Sequence, residues 1–281
     1  MIANNSQGQD LTIGHSSYRP DESGKLYAQP HYTATLLDTI AKANEAVLST
    51  LQLSMEHKLP IPVQSNISLS RFAQLGARDP EIAHAVYVAL MKELTASSKP
   101  DAGQGQHRPP LFLGFDAIDH AMRLSAYLNA EAAPIHAHDL ALVNTFARYM
   151  TGENEMPNGG MVLAAVSQSN RAQSKTLDYI LAAKNGPQLR FDPHTGWKTA
   201  PIKEWDPYAP FDERVGKSLA SMEVQKVQGL SKEEAKGLME YYARSGVFRD
   251  AVTERLISEK WALSGGGIVG ALERATVRTR I

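Results

Sequence analysis

Cysteine does not occur among the 281 residues, which excludes disulfides, thiolate metal sites and cysteine nucleophiles and suits a reducing compartment. Long apolar runs are missing as well. No stretch approaches the roughly 20 residues that a helical membrane span needs, and the N-terminus has no signal-peptide core. Charge of one sign is not in excess either: 29 Lys plus Arg stand against 30 Asp plus Glu, for a formal net charge of -1. No global field therefore draws the chain to nucleic acid or anionic lipid, and any RNA contact must be local. We expect a soluble protein without membrane or DNA partners. Two catalytic signatures are absent. There is no Gly-x-Ser-x-Gly elbow for acyl transfer, and no Gly-x-x-x-x-Gly-Lys-Ser/Thr loop to cradle phosphates. Gly216, Lys217 and Ser218 imitate the end of that loop, but Phe211 stands where its first glycine belongs.

What is present is enough apolar material, 43% of the residues, for one large core or two smaller ones. Residues 1–31 read as an irregular lead-in. Leu36, Ile40, Ala43, Val47 and Leu51 then recur at helical spacing, with Thr33 as the expected N-cap. A short helix is predicted from Ser68 to Leu75 with Gly76 as its stop. Asp79 and Pro80 open another, with Ile82, Val86, Leu90 and Leu94 inward. Residues 97–110 form a loop by composition. Leu111 to Asp116 reads as a buried strand, Ala117 to Asn129 as a helix, and a second helix is capped near Asp139. Met161 to Val166 is another apolar strand, ending at Ser167 and Gln168. Two such strands separated by helices predict a parallel pair with a right-handed crossover, hence an α/β layer. Residues 171–210 are expected to be an extended docked loop, and Met222 to Val227 a further strand. Ser231 with Glu234 has capping-box spacing. A helical tail follows, Ala251 to Leu263 and Ile268 to Val277, hinged at Gly265 to Gly267.

Asp116 is the principal candidate for chemistry. A carboxylate at the carboxyl end of a strand stands where open α/β sheets bind ligands, and can hold magnesium through water. It can equally cap the helix expected at Ala117, and the missing phosphate loop favours the cap. Ser167 and Gln168, at the next strand end, are suited to sensing a phosphate or to starting a turn. Asp119 reads as first-turn decoration. His136 and His138 form a His-x-His beside Asp139, but no third ligand stands at suitable spacing, so no metal is expected. Arg274, Arg278 and Arg280 make a small basic end that suits phosphate contact or solvation. Tyr241, Tyr242 and Phe248 read as core rather than as stacking platforms.

Several ordered segments carry a resemblance: QDLTIGHSSYRPDE, YAQPHYTATLLDTIAKANEAVL, PPLFLGFDAIDHA, HDLALVNTFARYM, GGMVLAAVSQS, EWDPYAPF, GLSKEEAKGLMEYYARSGVF and ERLISEKWALSGGGIVGALER. Together the chain resembles the fungal branch of the death-associated protein 3 family, P-loop-type proteins of the mitochondrial small ribosomal subunit. The resemblance implies an incomplete P-loop, AAA-like parallel sheet with flanking helices over residues 1–205 and a helical lid over 206–281. It implies a structural, non-enzymatic role in mitochondrial translation, in the matrix, among mitochondrial ribosomal proteins and small-subunit rRNA, without a homo-oligomer. Asp116 falls on the family's acidic strand end, and Ser167 with Gln168 on its sensor-like end. The family's phosphate loop and transit peptide fall outside this chain, so neither GTP nor GDP with Mg is expected on it. The alternative is a AAA-related switch ATPase or GTPase whose phosphate loop is supplied from upstream.

Overall fold

Helix formation begins where proline and aspartate dictate it. In the computed structural model, which describes residues 19–20, 26–98, 107–129, 132–166, 171–186, 188–192, 196–200 and 204–277, short strands β1 (Arg19–Pro20) and β2 (Tyr27–Ala28) pair antiparallel ahead of α1 (Pro30–Ala43). One turn, α2 (Glu45–Leu48), is followed by α3 (Leu69–Arg78) and α4 (Pro80–Leu94). Ser68 caps α3 and Asp79 caps α4, its Oδ1 accepting from the Glu81 N–H at 3.0 Å, with Pro80 in the first turn where its missing N–H costs nothing. Helix α1 starts earlier than expected. Pro30 opens it, and Thr33 lies inside, buried, with its hydroxyl donating to Gln29 O. Its inward stripe is Ala34, Leu37 and Ala41, with Leu36 and Ile40 only partly buried. Gly76 explains that shift. It lies within α3 rather than ending it, and a Cβ there would come 2.6 Å from Leu37 Cδ1 and 2.8 Å from Val86 Cβ. Leu37, Leu69, Phe72, Val86 and Leu90 fill the centre of this three-helix layer.

An ionic hub closes one end of the layer. The buried Glu93 carboxylate accepts from Ser54 N–H and Oγ, from Met55 N–H and from Arg108 Nη2 (2.6 Å), and His57 Nε2 lies 2.8 Å away. Burial pushes its pKa up, but the bonds from Ser54, His57 and Arg108 hold it below the ordinary value. Arg108, itself buried, also donates to Glu93 O and Gln52 O, and its N–H reaches Ser98 Oγ at 2.8 Å. Ser98 N–H in turn donates to Asn158 Oδ1, and Asn158 Nδ2 to Ala96 O. The chain on both sides of the 99–107 stretch is thereby tied together.

From Arg108 the chain enters β3 (Leu111–Phe115), then a 3-10 turn over Ile118–Ala121, β4 (Leu124–Leu128), β5 (Pro134–His136), a 3-10 turn over Ala137–Asp139 and α5 (Ala141–Thr151). The helix expected over Ala117 to Asn129 is therefore replaced by a turn and a strand. Ala117 has φ 54°, a left-handed conformation that breaks any helix at that point, and β4 pairs antiparallel with β5. Asp139 does not cap α5, whose preceding residue is Leu140. Strand β6 (Gly160–Ala164) pairs with β3 in parallel, Leu111 opposite Gly160 and Phe115 opposite Ala164, as the apolar runs predict. The fold class is α/β, with a small parallel sheet and flanking helices.

Residues 171–210 are more regular than expected. They contain α6 (Lys175–Lys184), capped by Ser174, and the antiparallel hairpin β7 (Gln188–Asp192) and β8 (Gly196–Ala200). Helix α7 (Glu213–Ala220) packs with α5 and α6. A second apolar cluster, with Ile118, Met122, Ile135, Val143, Leu177 and Val215, lies beneath these elements. On the inner face of the parallel pair, Leu111 and Leu113 pack on the helical layer, Phe115 and Ala164 on the second cluster, and Val162 on both. On the outer face Phe112, Met161 and Leu163 are 58%, 55% and 52% exposed.

Contacts divide the chain between Glu223 and Val224, so α7 belongs with the α/β unit. Met222 to Val227 has no strand. The C-terminal unit holds α8 (Lys232–Arg244), α9 (Glu254–Leu263) and α10 (Val269–Thr276) around Ala235, Met239, Ile257 and Leu272, with Phe248 buried and Tyr241 exposed. Its capping box forms as predicted: Ser231 Oγ accepts from Glu234 N–H and Glu234 Oε2 from Ser231 N–H. Gly265, Gly266 and Gly267 all have positive φ, and a Cβ at Gly267 would lie 2.1 Å from Leu230 O, so only glycine fits there.

Candidate functional site

The parallel register brings the two candidate strand ends to one edge of the sheet. Ala165 N–H donates to Phe115 O and Ile118 N–H to Ala165 O, both at 2.9 Å, so the chain leaving β6 runs beside the turn that follows β3. Asp116 stands at that edge, exposed, with its Oδ1 accepting the N–H of Ala117 at 2.8 Å. It thus closes a turn rather than capping a helix. Ser167 and Gln168 lie outside the described residues, as do Arg278 and Arg280.

Asp119, which the sequence suggests as first-turn decoration of a helix, lies in a 3-10 turn instead and is fully buried. One oxygen, Oδ2, accepts the N–H of Ala172; the other has no hydrogen-bond partner among the described residues. His120 Nε2 lies 3.8 Å from Oδ2. The bond to Ala172 crosses from the 3-10 turn to the lead-in of α6, and no local pattern signals it. Asp119 thereby pins the segment after β6 close to the end of β3.

His136 and His138 are buried with their rings edge to face at 4.9 Å. His136 Nδ1 accepts the backbone N–H of His138 at 3.1 Å, leaving Nε2 to face Asp212 Oδ2 at 2.8 Å, a contact of ion-pair length without good hydrogen-bond alignment. Asp212 also caps α7, and Arg214 reaches both oxygens of Asp139 at 3.1 Å. Burial, followed by the neighbouring His136, pushes the His138 pKa down to about 4; burial and Arg214 lower that of His136. The pair is a packing joint between β5 and α7. One His136 nitrogen is spent on the backbone and the other faces a carboxylate.

Among the described residues no group of three or more His, Asp or Glu side chains converges as a metal site. Of the candidate residues at this edge Asp116 is the one described, and an exposed carboxylate there can hold a magnesium ion through water. A cleft of about 530 Å³, lined by Val88, Lys92, Asn144, Arg148 and Glu153 among others, opens between α4 and α5, away from the strand ends.

Residues 1–275 match the family of the mitochondrial ribosomal death-associated protein 3. The chain belongs to that family. It is similar to the small ribosomal subunit protein mS29 of Neurospora crassa, 37% identical over 275 residues, which cover 97% of this chain and 55% of the relative. The mS29 of Schizosaccharomyces pombe is 25% identical over 255 residues, 89% of this chain and 47% of that protein. The chain thus spans about half the length of the curated relatives it matches.

Proposed function

We propose that this chain is a structural component of the mitochondrial small ribosomal subunit, seated in the matrix among ribosomal proteins and small-subunit rRNA, and that it catalyses no reaction. The observation that carries this is likeness to a protein named for that subunit over nearly the whole chain. Near-neutral charge suits a member held largely by protein neighbours, because counterion release supplies only the RNA share of affinity. In this reading β3 and β6 are the acidic and sensor strands of a P-loop-type sheet. Asp116, Ser167 and Gln168 mark its phosphate end, and the C-terminal helices are its lid.

Tagged chain expressed in fungal mitochondria is expected to co-sediment with the small subunit on a sucrose gradient; free sedimentation throughout would refute the role. The purified chain is expected to bind GTP or GDP no tighter than roughly millimolar by calorimetry, about -4 kcal/mol. The shared edge of β3 and β6 favours one rival, a nucleotide switch completed by a phosphate loop outside this chain. Micromolar binding lost in Asp116→Asn would support that rival.

A further inference from the structure

Two asparagines of the chain are followed by glycine, Asn158 before Gly159 and Asn185 before Gly186. Such a pair is open to a reaction of its own. The backbone nitrogen of the second residue can attack the asparagine Cγ, and glycine, having no Cβ, lets it approach and turns freely enough to close the ring. The fold decides whether the side-chain amide and that nitrogen are free to meet.

At Asn158 both groups are held. Its Oδ1 accepts the Ser98 N–H at 3.0 Å and its Nδ2 donates to Ala96 O at 2.6 Å, so the side-chain amide is fixed from both sides. Gly159 N–H donates to Met156 O at 2.9 Å, and Gly159 O accepts from Leu111 N–H at 3.1 Å, which ties this glycine to the start of the β3–β6 pair. Asn185 is placed differently. It follows the last residue of α6, exposed, with φ -73° and ψ -11°, and among the described residues nothing bonds its side-chain amide. Gly186 N–H donates to Ala183 O at 3.3 Å, a long bond, and a Cβ on Gly186 would meet no described atom within 4 Å. A short helix opens at its last turn at little cost, which frees the Asn185 backbone to bring Gly186 N onto Cγ.

We infer that Asn185 is a site of spontaneous deamidation and that the fold shields Asn158 from the same reaction. Gly186 N gives its proton to a water or hydroxide base and bonds to Asn185 Cγ; the Cγ–Nδ2 bond breaks, and Nδ2 takes a proton from water and leaves as ammonia. A water molecule then opens the resulting succinimide. Opening at one carbonyl leaves aspartate, and opening at the other leaves isoaspartate, in which the main chain runs through Cγ. Either product sets a carboxylate at the C-terminal end of α6, the negative end of the helix dipole. It also stands next to Lys184, whose Nζ donates to Ala220 O at 2.9 Å and to Met222 O at 2.8 Å. The modification therefore offers that lysine a rival partner at the joint between α6 and α7.

The test incubates the whole 281-residue chain at mildly alkaline pH, folded and in parallel unfolded in urea, and follows both positions by peptide mass mapping that separates aspartate from isoaspartate. In the folded chain conversion at position 185 is expected to run roughly tenfold or more faster than at 158, because the bonds at Asn158 and Gly159 must open first. In urea the two rates are expected to become comparable. Asn185→Gln, whose longer side chain closes a larger and slower-forming ring, is expected to stop the reaction there with the thermal midpoint unchanged. An intact Asn185 in the folded chain, equal rates at the two positions, faster conversion at 158, or a difference that persists unchanged in urea overturns the inference. None of these outcomes bears on the ribosomal reading.

Discussion

The His138 ring sits buried beside His136, with Asp212, Asp139 and Arg214 as the charged groups facing the pair. Its native pKa of about 4 lies below the ordinary value of 6.5, so the unfolded chain binds the proton first as pH falls. The neutral ring's contribution is therefore complete above pH 6.5 and is lost progressively toward pH 4. For a shift of this size the linked loss is on the order of 3 kcal/mol over that window. Urea midpoints measured at pH 7 and pH 5 should differ in the parent protein and converge in His138→Phe. Equal pH slopes in the two proteins would show that another group carries the effect. Glu93, whose pKa is lowered, loses its contribution only further down, as pH falls from the ordinary carboxylate range through its native value.

Helices and strands differ in how openly the sequence announced them. Asp79 with Pro80, and Ser231 with Glu234, are local devices in which the capping atom and the capped N–H lie within three residues of each other. They could be read directly. The strands β3 and β6 were legible from composition, although the expectation that both their faces were buried was not met. Leu124 to Leu128 reads as helix because its Leu and Ala residues are strong helix formers and only Tyr127 favours a strand, while the deciding partner, β5, lies in a separate segment. Asp119 was misread for the same reason, since its partner Ala172 is distant in sequence. Gly76 reads as a helix stop in the sequence, whereas its role in the fold is close packing. Gly76→Ala is expected to cost roughly 1–3 kcal/mol, because Leu37 and Val86 must move to admit the methyl group. A denaturation midpoint equal to the parent's would mean that α1 can shift at no cost.

As a whole, the molecule carries a parallel sheet with one face in water. Parallel pairs are ordinarily covered on both sides, and two strands are too few to be stable alone. Here the inner face is anchored on two apolar clusters, and Phe112, Met161 and Leu163 are left outward. The isolated chain is expected to bind an exposed-surface dye and to melt broadly. Replacing those three residues by serine, on the already exposed side, should abolish most of the dye signal without loss of helical circular dichroism. A sharp melt of the parent without dye binding would contradict that picture.

The bond between Arg108 N–H and Ser98 Oγ has a practical consequence for anyone wishing to follow the molecule inside a large assembly. Because Ser98 and Arg108 are fastened to each other, and Ser98 to Asn158, these two points stay joined whatever length of chain connects them, and a longer connection adds a cost of loop closure. Doubling such a stretch costs only about 0.6 kcal/mol. An epitope or a fluorophore site inserted between the two fastened points therefore leaves the ionic hub at Glu93 and Arg108 joined.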